Sequence, residues 1–547
     1  MRIRKSPGVT GIKIKDMEYL ISQFADDTSI YLDGRRESFE NVIKILNEFA
    51  LWSGLKINYD KSQVVWLGSK KGSGTVFLPH LKLTWNPKTF KVLGITFSLD
   101  LEKMIELNYY PKLQRVRNLL KSWRGRCLTP LGKIVVIKSL MMSKITHLFL
   151  SLPNPGKQFI TDLMLLFYDF IWNGKKDKIK RKTLCKPLEE GGLNMIDVNV
   201  FIESLKVTWI RKLLKKDKCG WMALLKEDVP DLDRQKYCGS RFLFSKRNIV
   251  ISFWHNVFSS FARFAERCVP STIQEFLQEP ILFHHKIKID GTFISRQVWQ
   301  KLGITSVGQL MNDNFEFVEY TYFATKFGND INFLEYYGVI KAIKEYKESL
   351  HLKNEPNLNT NEAKPYAVLQ SEAKGTKAIR KILSQITTPL PKAVEKWNNI
   401  FGSLDWHTIY SSFKRSTSDT KLKWFQYRIL CRILTTNDYL YKRKVNDSDR
   451  CTFCKTEKET IRHLLWDCTY SETFWKRVLN WITNNTSHLC AFNITEQLVI
   501  FGVEDNVVTD RVLDLMMLMA KHYIFRCRCL KVTPNFVFQG KSSKEQS

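Results

Sequence analysis

The sequence predicts an α+β fold, with short strands at the start of the chain and a longer, mainly helical part after them. Two observations favour this class. Short apolar runs flank Ala25, Asp26 and Asp27, as in paired strands. Beyond residue 100, apolar residues recur every three or four positions, as in amphipathic helices. The chain has 547 residues, enough for several domains of about 100 to 200 residues each.

The strands are predicted over Tyr19–Phe24, Thr28–Leu32, Val64–Leu67 and Phe90–Phe97. The first two enclose Asp26 and therefore predict a hairpin with two carboxylates at its tip.

Three helices stand out in the first part of the chain. An apolar stripe predicts a helix over Glu37–Trp52, and Gly54 is typical of the residue that stops one. Thr129 and Pro130 are typical of an N-cap and a first helical position. A later helix is predicted from Gln158 to Asn173.

We predict five segments. They are a strand-containing segment 1–100, a helical domain 101–215, a helical connector 216–350, a linker 351–376 and a C-terminal helical domain 377–547. The linker is predicted because it has few large apolar side chains and buries little. The last domain has enough tryptophan and phenylalanine for its own core.

The charge of the chain favours a polyanionic partner. Lys and Arg total 85 against 54 Asp and Glu, a formal net charge of +31. Such a field attracts nucleic acid and releases its counterions on binding. The alternative to a nucleic-acid partner is a basic protein whose charge only keeps it soluble. An anionic membrane surface usually needs a basic amphipathic helix or a lipid signal, and the sequence shows neither.

The sequence also favours an intracellular protein without membrane or secreted partners. It has no apolar stretch near the ~20 residues that cross a bilayer, and its first residues lack the apolar core of a secretory signal. Most of its 12 cysteines are scattered, unlike those of a secreted disulfide scaffold.

A run of basic residues follows the helix that ends near Gly174. A solvated loop and a phosphate-contacting surface explain it about equally well. Its members are Lys175, Lys176, Lys178, Lys180, Arg181 and Lys182.

Three cysteines and one histidine have the spacing of a zinc site. Cys451, Cys454, His463 and Cys468 form C-x2-C-x8-H-x4-C, from which four ligands can close tetrahedrally around Zn²⁺. A closed four-ligand site is structural rather than catalytic. We predict a zinc-binding module over about residues 446–483; the alternative is four unrelated buried side chains.

The paired aspartates have a possible catalytic role. Two-metal nucleotidyl transfer uses carboxylates to hold two Mg²⁺ ions about 3.5 to 4 Å apart. Adjacent acidic residues in turns are also common as merely solvated groups.

Several blocks, in order, resemble non-LTR (LINE-type) retrotransposon reverse transcriptases. Phe24-Ala25-Asp26-Asp27-Thr28 resembles their motif C, Gly54 to Ser62 their motif D, and Phe90 to Ile95 their motif E. Three further blocks resemble the thumb and post-thumb regions of that family: Leu128 to Lys133, Phe170-Ile171-Trp172 and Gly191-Gly192-Leu193. The cysteine and histidine block resembles the C-terminal zinc-binding domain of the same family, whereas residues 220–380 add little specific signal.

The resemblance implies a partial palm over residues 1–100 and a thumb-like domain over 101–215. It implies that Asp26 and Asp27 are catalytic ligands of Mg²⁺. Lys61 is a candidate proton donor to pyrophosphate, with a solvated surface lysine as the alternative. The partners would be an RNA template and a DNA primer or target, in a ribonucleoprotein of the cytoplasm and nucleus.

The family's active site also needs a third carboxylate, from motif A. Only 25 residues precede Asp26, and their acidic residues, Asp16 and Glu18, fall in or near the hairpin. We therefore expect a truncated RNA-directed DNA polymerase that is inactive alone, with an incomplete palm that exposes an apolar face. The alternative is a non-enzymatic nucleic-acid-binding protein retained from such an element.

Overall fold

The computed structural model describes residues 3–14, 17–100, 102–214, 220–229, 232, 234, 238–242, 251–353, 363–371, 375–384, 391–485, 493–502 and 511–535. These residues form a mainly helical fold with a few small sheets, consistent with the predicted α+β class.

The strands of the described residues lie in pairs. The pairs are β1 (Ile12–Ile14) with β2 (Met17–Tyr19), β3 (Ile21–Phe24) with β4 (Asp27–Ile30), β5 (Gln63–Val64) with β6 (Thr84–Trp85), β7 (Thr89–Val92) with β8 (Ile95–Ser98), and β9 (Lys288–Ile289) with β10 (Thr292–Phe293). The β5–β6 pair is parallel and the others are antiparallel. Because each sheet there has two strands, the described residues form no continuous palm sheet.

Two strand predictions need correction. The strand expected over Val64–Leu67 is short, because Trp66 turns away to donate its indole N–H to the carbonyl of Thr75 at 3.0 Å. The strand expected over Phe90–Phe97 is a hairpin. Leu93 and Gly94 adopt φ values of 49° and 78°, the left-handed conformation that a tight two-residue turn requires.

The first helix, α1 (Arg36–Ser53), ends as predicted at Gly54, whose φ of 72° lets its N–H reach the carbonyl of Ala50. The helix buries Phe39 and Val42. Its last turn leaves Leu51 and Trp52 86% and 85% exposed. These two large apolar side chains are therefore open to solvent.

The next segment is helical. Its helices are α2 (Lys103–Arg124), α3 (Pro130–Val136), α4 (Thr146–Ser151), α5 (Lys157–Trp172), α6 (Arg181–Cys185) and α7 (Val198–Leu214). The Thr129 side chain caps α3 as predicted, accepting the N–H of Gly132. Lys133 is only 2% exposed and donates to the carbonyl of Phe170 at 2.8 Å, so that it caps the end of α5.

Residues 220–384 contain further helices in their described parts. They are α8 (Gly220–Asp228), α9 (Ser252–Arg267), α10 (Ile273–Leu277), α11 (Gln297–Lys301), α12 (Tyr320–Phe327), α13 (Phe333–Glu348), α14 (Lys364–Ser371) and α15 (Lys377–Ser384). One apolar core joins most of them to α7. Helix α14 lies within the predicted linker, yet its Tyr366 and Leu369 are buried in that core, so these residues are folded.

The last helices are α16 (Lys392–Phe401), α17 (Trp406–Ser416), α18 (Thr420–Leu430), α19 (Asn437–Tyr441), α20 (Thr469–Asn485), α21 (Glu496–Phe501) and α22 (Arg511–Leu530). Gly191 and Gly192 pack among them. The Tyr427 hydroxyl donates to the carbonyl of Gly191 at 2.8 Å. A Cβ on Gly192 would lie 1.9 Å from the carbonyl oxygen of Lys186, so this position requires glycine.

The described residues form two compact units. The first draws on Met1–Arg115, Lys144–Thr161 and Val198–Ile386. The second draws on Val116–Ser143, Asp162–Asp197 and Thr387–Ser547. Residues 101–215 contribute to both units, and the five-segment division stays a prediction. Among the described residues, no helix is both long and apolar enough to span a bilayer.

Candidate metal centre

A tight turn in the second unit carries the first two potential ligands. The N–H of Cys451 donates to the carbonyl of Glu457 at 2.7 Å, and the N–H of Lys455 donates to the carbonyl of Cys451 at 3.0 Å. Lys455 adopts a φ of 62°, which closes the turn. This backbone places the side chains of Cys451 and Cys454 on the same side.

A single π-helical turn, His463–Asp467, positions the other two ligands. The N–H of Cys468 donates to the carbonyl of His463, five residues earlier, at 2.9 Å. Such wide turns are frequent at functional sites. Here the turn brings the ends of an H-x4-C segment together.

The four ligand atoms have the separations that a tetrahedral metal requires. They all lie within 4.8 Å of one another. The Sγ atoms of Cys451 and Cys468 are 3.9 Å apart, and Sγ of Cys454 lies 3.4 Å from Nε2 of His463. A tetrahedral zinc with Zn–S near 2.3 Å and Zn–N near 2.0 Å needs about 3.8 Å between two sulfurs and about 3.5 Å between sulfur and nitrogen. The donor set therefore fits Zn²⁺.

The centre is closed to solvent on one side. Cys451, His463 and Cys468 are buried, and Cys454 is half-buried. Four protein ligands leave no open position for a substrate, which is the pattern of structural rather than catalytic zinc.

The surroundings lower the pKa of two of the three thiols, Cys454 and Cys468, and raise the pKa of Cys451. The hydrogen bond between Cys451 and Cys468 is the largest cause that raises the pKa of Cys451 and also the largest that lowers the pKa of Cys468. Burial raises the pKa of Cys454, but hydrogen bonds from Glu457 and Thr456 outweigh it and leave the pKa below its ordinary value. Thiolate is the form that binds metal.

The buried carboxylate of Glu459 holds the ligand turn in place. It accepts the N–H of Thr452, between the two cysteines, at 2.7 Å, and the N–H of Asn437 at 2.8 Å. Arg528, from α22, forms an ion pair with it at 2.8 Å. One fully buried side chain thus joins the turn, the start of α19 and the last helix.

Helix α20 packs beneath the π-helical turn. The Trp475 indole donates to the carbonyl of Leu465 at 2.7 Å, and the Ser471 hydroxyl donates to the carbonyl of Leu464 at 2.7 Å. Phe474, Trp475 and Val478 are buried. These contacts satisfy carbonyls that a π turn leaves without helical partners.

The paired aspartates lie where the sequence places them. Phe24 pairs with Asp27 across the β3–β4 hairpin, and Ala25 adopts a φ of 52° in its turn. Asp26 and Asp27 are exposed. Among the described residues, they form no group of three potential ligands with another acidic, cysteine or histidine side chain. Two solvated carboxylates supply only part of a magnesium donor set.

The other candidates near the hairpin are not brought into that site. The carboxylate of Glu18 accepts the N–H of Gly11 at 2.6 Å, and Asp16 lies outside the described residues. Lys61 is exposed at the end of a short 3-10 turn, Tyr59–Lys61, consistent with a solvated lysine.

The basic run between α5 and α6 is exposed throughout, but its members differ in their contacts. Arg181 pairs with Asp177 at 2.7 Å and lies over the ring of Tyr168 at 4.4 Å. Its charge is thus partly neutralised, and its role includes folding the loop back onto α5.

Two parts of the chain match models of known protein families. Residues 7–97 match reverse transcriptase (RNA-dependent DNA polymerase), and this segment contains Asp26, Asp27 and Lys61. Residues 395–475 match the zinc-binding domain found in reverse transcriptases, and this segment contains all four ligands of the metal centre. The two matches support a reverse transcriptase-related protein, and the second supports zinc as the metal.

Sequence reasoning did not identify Glu459 or Arg528. A glutamate between the second and third zinc ligands carries no signal of burial by itself, since most glutamates are exposed. Its arginine partner lies 69 residues further along the chain, so that only the fold reveals the pair.

Proposed function

We propose that this chain is a nucleic-acid-binding polypeptide of the non-LTR (LINE-type) reverse transcriptase kind, and that by itself it does not polymerise. The observation that carries the proposal is the closed three-cysteine, one-histidine centre inside a segment that matches a reverse-transcriptase zinc-binding domain. The net charge of +31 supports an RNA or DNA partner.

In this proposal, zinc has a structural role. Bound to Cys451, Cys454, His463 and Cys468, it would supply folding free energy to the second unit. The module would then hold the basic surfaces around it in a fixed arrangement for a phosphate backbone. The surrounding residues orient the ligands and exclude water, and none of them performs a chemical step.

The proposed lack of polymerase activity in residues 1–547 alone is supported by the carboxylates. Phosphoryl transfer depends on preorganised charge and on exact positioning of the reactants. Asp26 and Asp27 are exposed and lack a third ligand among the described residues. The same observation favours the second candidate, a non-enzymatic binding protein derived from such an element.

The test combines primer extension with binding. We expect no templated DNA synthesis by the purified chain in Mg²⁺, with or without Asp26→Asn and Asp27→Asn. We also expect RNA affinity to be equal in the wild type and this double variant, and to fall about 10- to 100-fold between ~50 and ~200 mM salt for about four phosphate contacts.

Both halves of this expectation can fail separately. Synthesis that the two asparagine substitutions abolish would overturn the proposed inactivity. Binding that is absent, or insensitive to salt, would overturn the nucleic-acid-binding role.

A further inference from the structure

The basic run after α5 lies against the segment that matches the zinc-binding domain. At the end of α5, the ring of Trp172 packs against Trp424 of α18, with centroids 6.2 Å apart. The loop that carries Lys175 and Lys178 starts at this contact. Arg428 lies one helical turn beyond Trp424 and therefore on the same face of α18.

Arg428 is held in a fixed position without a hydrogen-bonding partner for its Nε atom. Its guanidinium lies over the rings of Phe425 and Phe525, 5.8 and 5.3 Å from their centroids. The Nε atom is buried and finds no acceptor among the described residues. A buried donor without an acceptor is costly. The Arg428 side chain as a whole is half-buried, so that its charge is not fully enclosed.

Lys178 lies among cations. Partial burial of its ammonium lowers the pKa of Lys178, and the charges of Arg428, Lys175 and Arg443 lower it further. Arg443 is itself fixed, with its guanidinium 3.5 Å from the ring centroid of Tyr439.

Two acidic side chains that lie close to these cations in the sequence are engaged with other cations. Asp177, in the loop, pairs with Arg181 at 2.7 Å, and Asp438, in α19, pairs with Lys442 at 2.7 Å. These two carboxylates therefore do not neutralise the positive charge of Lys178 and its three basic neighbours.

We infer that Lys175, Lys178, Arg428 and Arg443 form one composite site for the phosphate groups of a nucleic-acid backbone. The inference deepens the proposed function and rests on it. It assigns the binding role to four residues from two distant parts of the sequence. It also separates Lys175 and Lys178 from Arg181, whose contacts are mainly structural.

Phosphate is the ligand that this geometry favours. Guanidinium groups bind phosphate oxygens through two parallel hydrogen bonds, and the lysines add positive charge without demanding a fixed orientation. Two of the cations are stacked on aromatic rings, so that less side-chain freedom is lost on binding.

The experiment measures binding of single-stranded RNA and DNA of equal length to the full chain. The site variant combines Lys178→Gln, Arg428→Met and Arg443→Gln, where methionine keeps an apolar stem against the phenylalanine rings. The charge-matched control combines Lys392→Gln, Lys396→Gln and Lys531→Gln, three exposed lysines of the second unit that lie outside the basic run. The single variant Lys178→Gln, at an exposed side chain, tests the site without the risk that a substitution at Arg428 impairs folding.

We expect the site variant to weaken binding of either strand about 10- to 100-fold at ~0.1 M salt and to reduce the salt slope by about two, since each contact with a single strand contributes about 0.7. The control should change affinity no more than about threefold. Lys178→Gln alone should reduce the slope by about 0.7. A strand with uncharged methylphosphonate linkages should bind the wild type and the site variant equally weakly.

Equal losses in the site variant and the control would overturn the composite site while leaving nucleic-acid binding intact. Equally effective competition by a polyglutamate of matched charge would also overturn it, because an acidic peptide would then be an equivalent ligand. If the wild type binds neither strand, the proposed function itself fails.

Discussion

A chain with Cys451 replaced by serine is expected to lose its zinc and to unfold around residues 437–475. Cys451 is 1% exposed, and its Sγ atom lies 3.9 Å from that of Cys468. Its substitution therefore removes a metal ligand from a buried position inside the centre. Structural zinc contributes about 10–16 kcal/mol in zinc-finger peptides, and a whole domain is stable by only about 5–15 kcal/mol. Metal analysis and thermal unfolding measure both effects.

Cys529→Ser is the matched control for this substitution. Cys529 is exposed and lies outside the ligand group. The control should keep one zinc ion per chain and the unfolding temperature of the wild type. A Cys451→Ser chain that retained both would contradict a zinc-dependent fold.

Replacement of Glu459 by glutamine is expected to destabilise the second unit by about 3–5 kcal/mol, the usual effect of removing one partner from a buried ion pair. The substitution leaves the charge of Arg528 without its carboxylate, in a side chain that is 12% exposed. The amide can still accept one N–H from the ligand turn, so zinc binding should weaken less than in Cys451→Ser. Urea unfolding measures the change in stability.

A control substitution and a double variant show whether the loss of stability comes from the ion pair between Glu459 and Arg528. Glu457→Gln changes an exposed side chain on the same turn and should alter stability by less than about 0.5 kcal/mol. The double variant Glu459→Gln with Arg528→Met should lose less stability than the sum of the single variants, because contacting residues are coupled. Strict additivity would show that Glu459 and Arg528 act independently.

The features that sequence predicted well are local. The zinc ligands lie within 18 consecutive positions, from Cys451 to Cys468, so that their spacing alone limits how they can meet. The aspartates lie at the turn of a hairpin whose strands are adjacent in sequence. The helix ends at Thr129 and Gly54 follow from the capping chemistry of those residues.

The features that sequence missed depend on distant contacts. Lys133 is a basic residue near a helix start, and only the fold shows its ammonium buried at the end of α5. Tyr366 and Leu369 lie in a polar segment of the sequence. These two side chains anchor the segment in a core that other helices supply. The basic run could be recognised, but not the contribution of Arg428 to it.

We expect the second unit to be built around a closed zinc centre with three sulfur ligands and one nitrogen ligand. X-ray absorption at the zinc edge of the purified chain measures these ligands. We expect three sulfurs near 2.3 Å and one nitrogen near 2.0 Å. A bound water in place of one ligand, or a chain that folds with no zinc, would contradict this expectation.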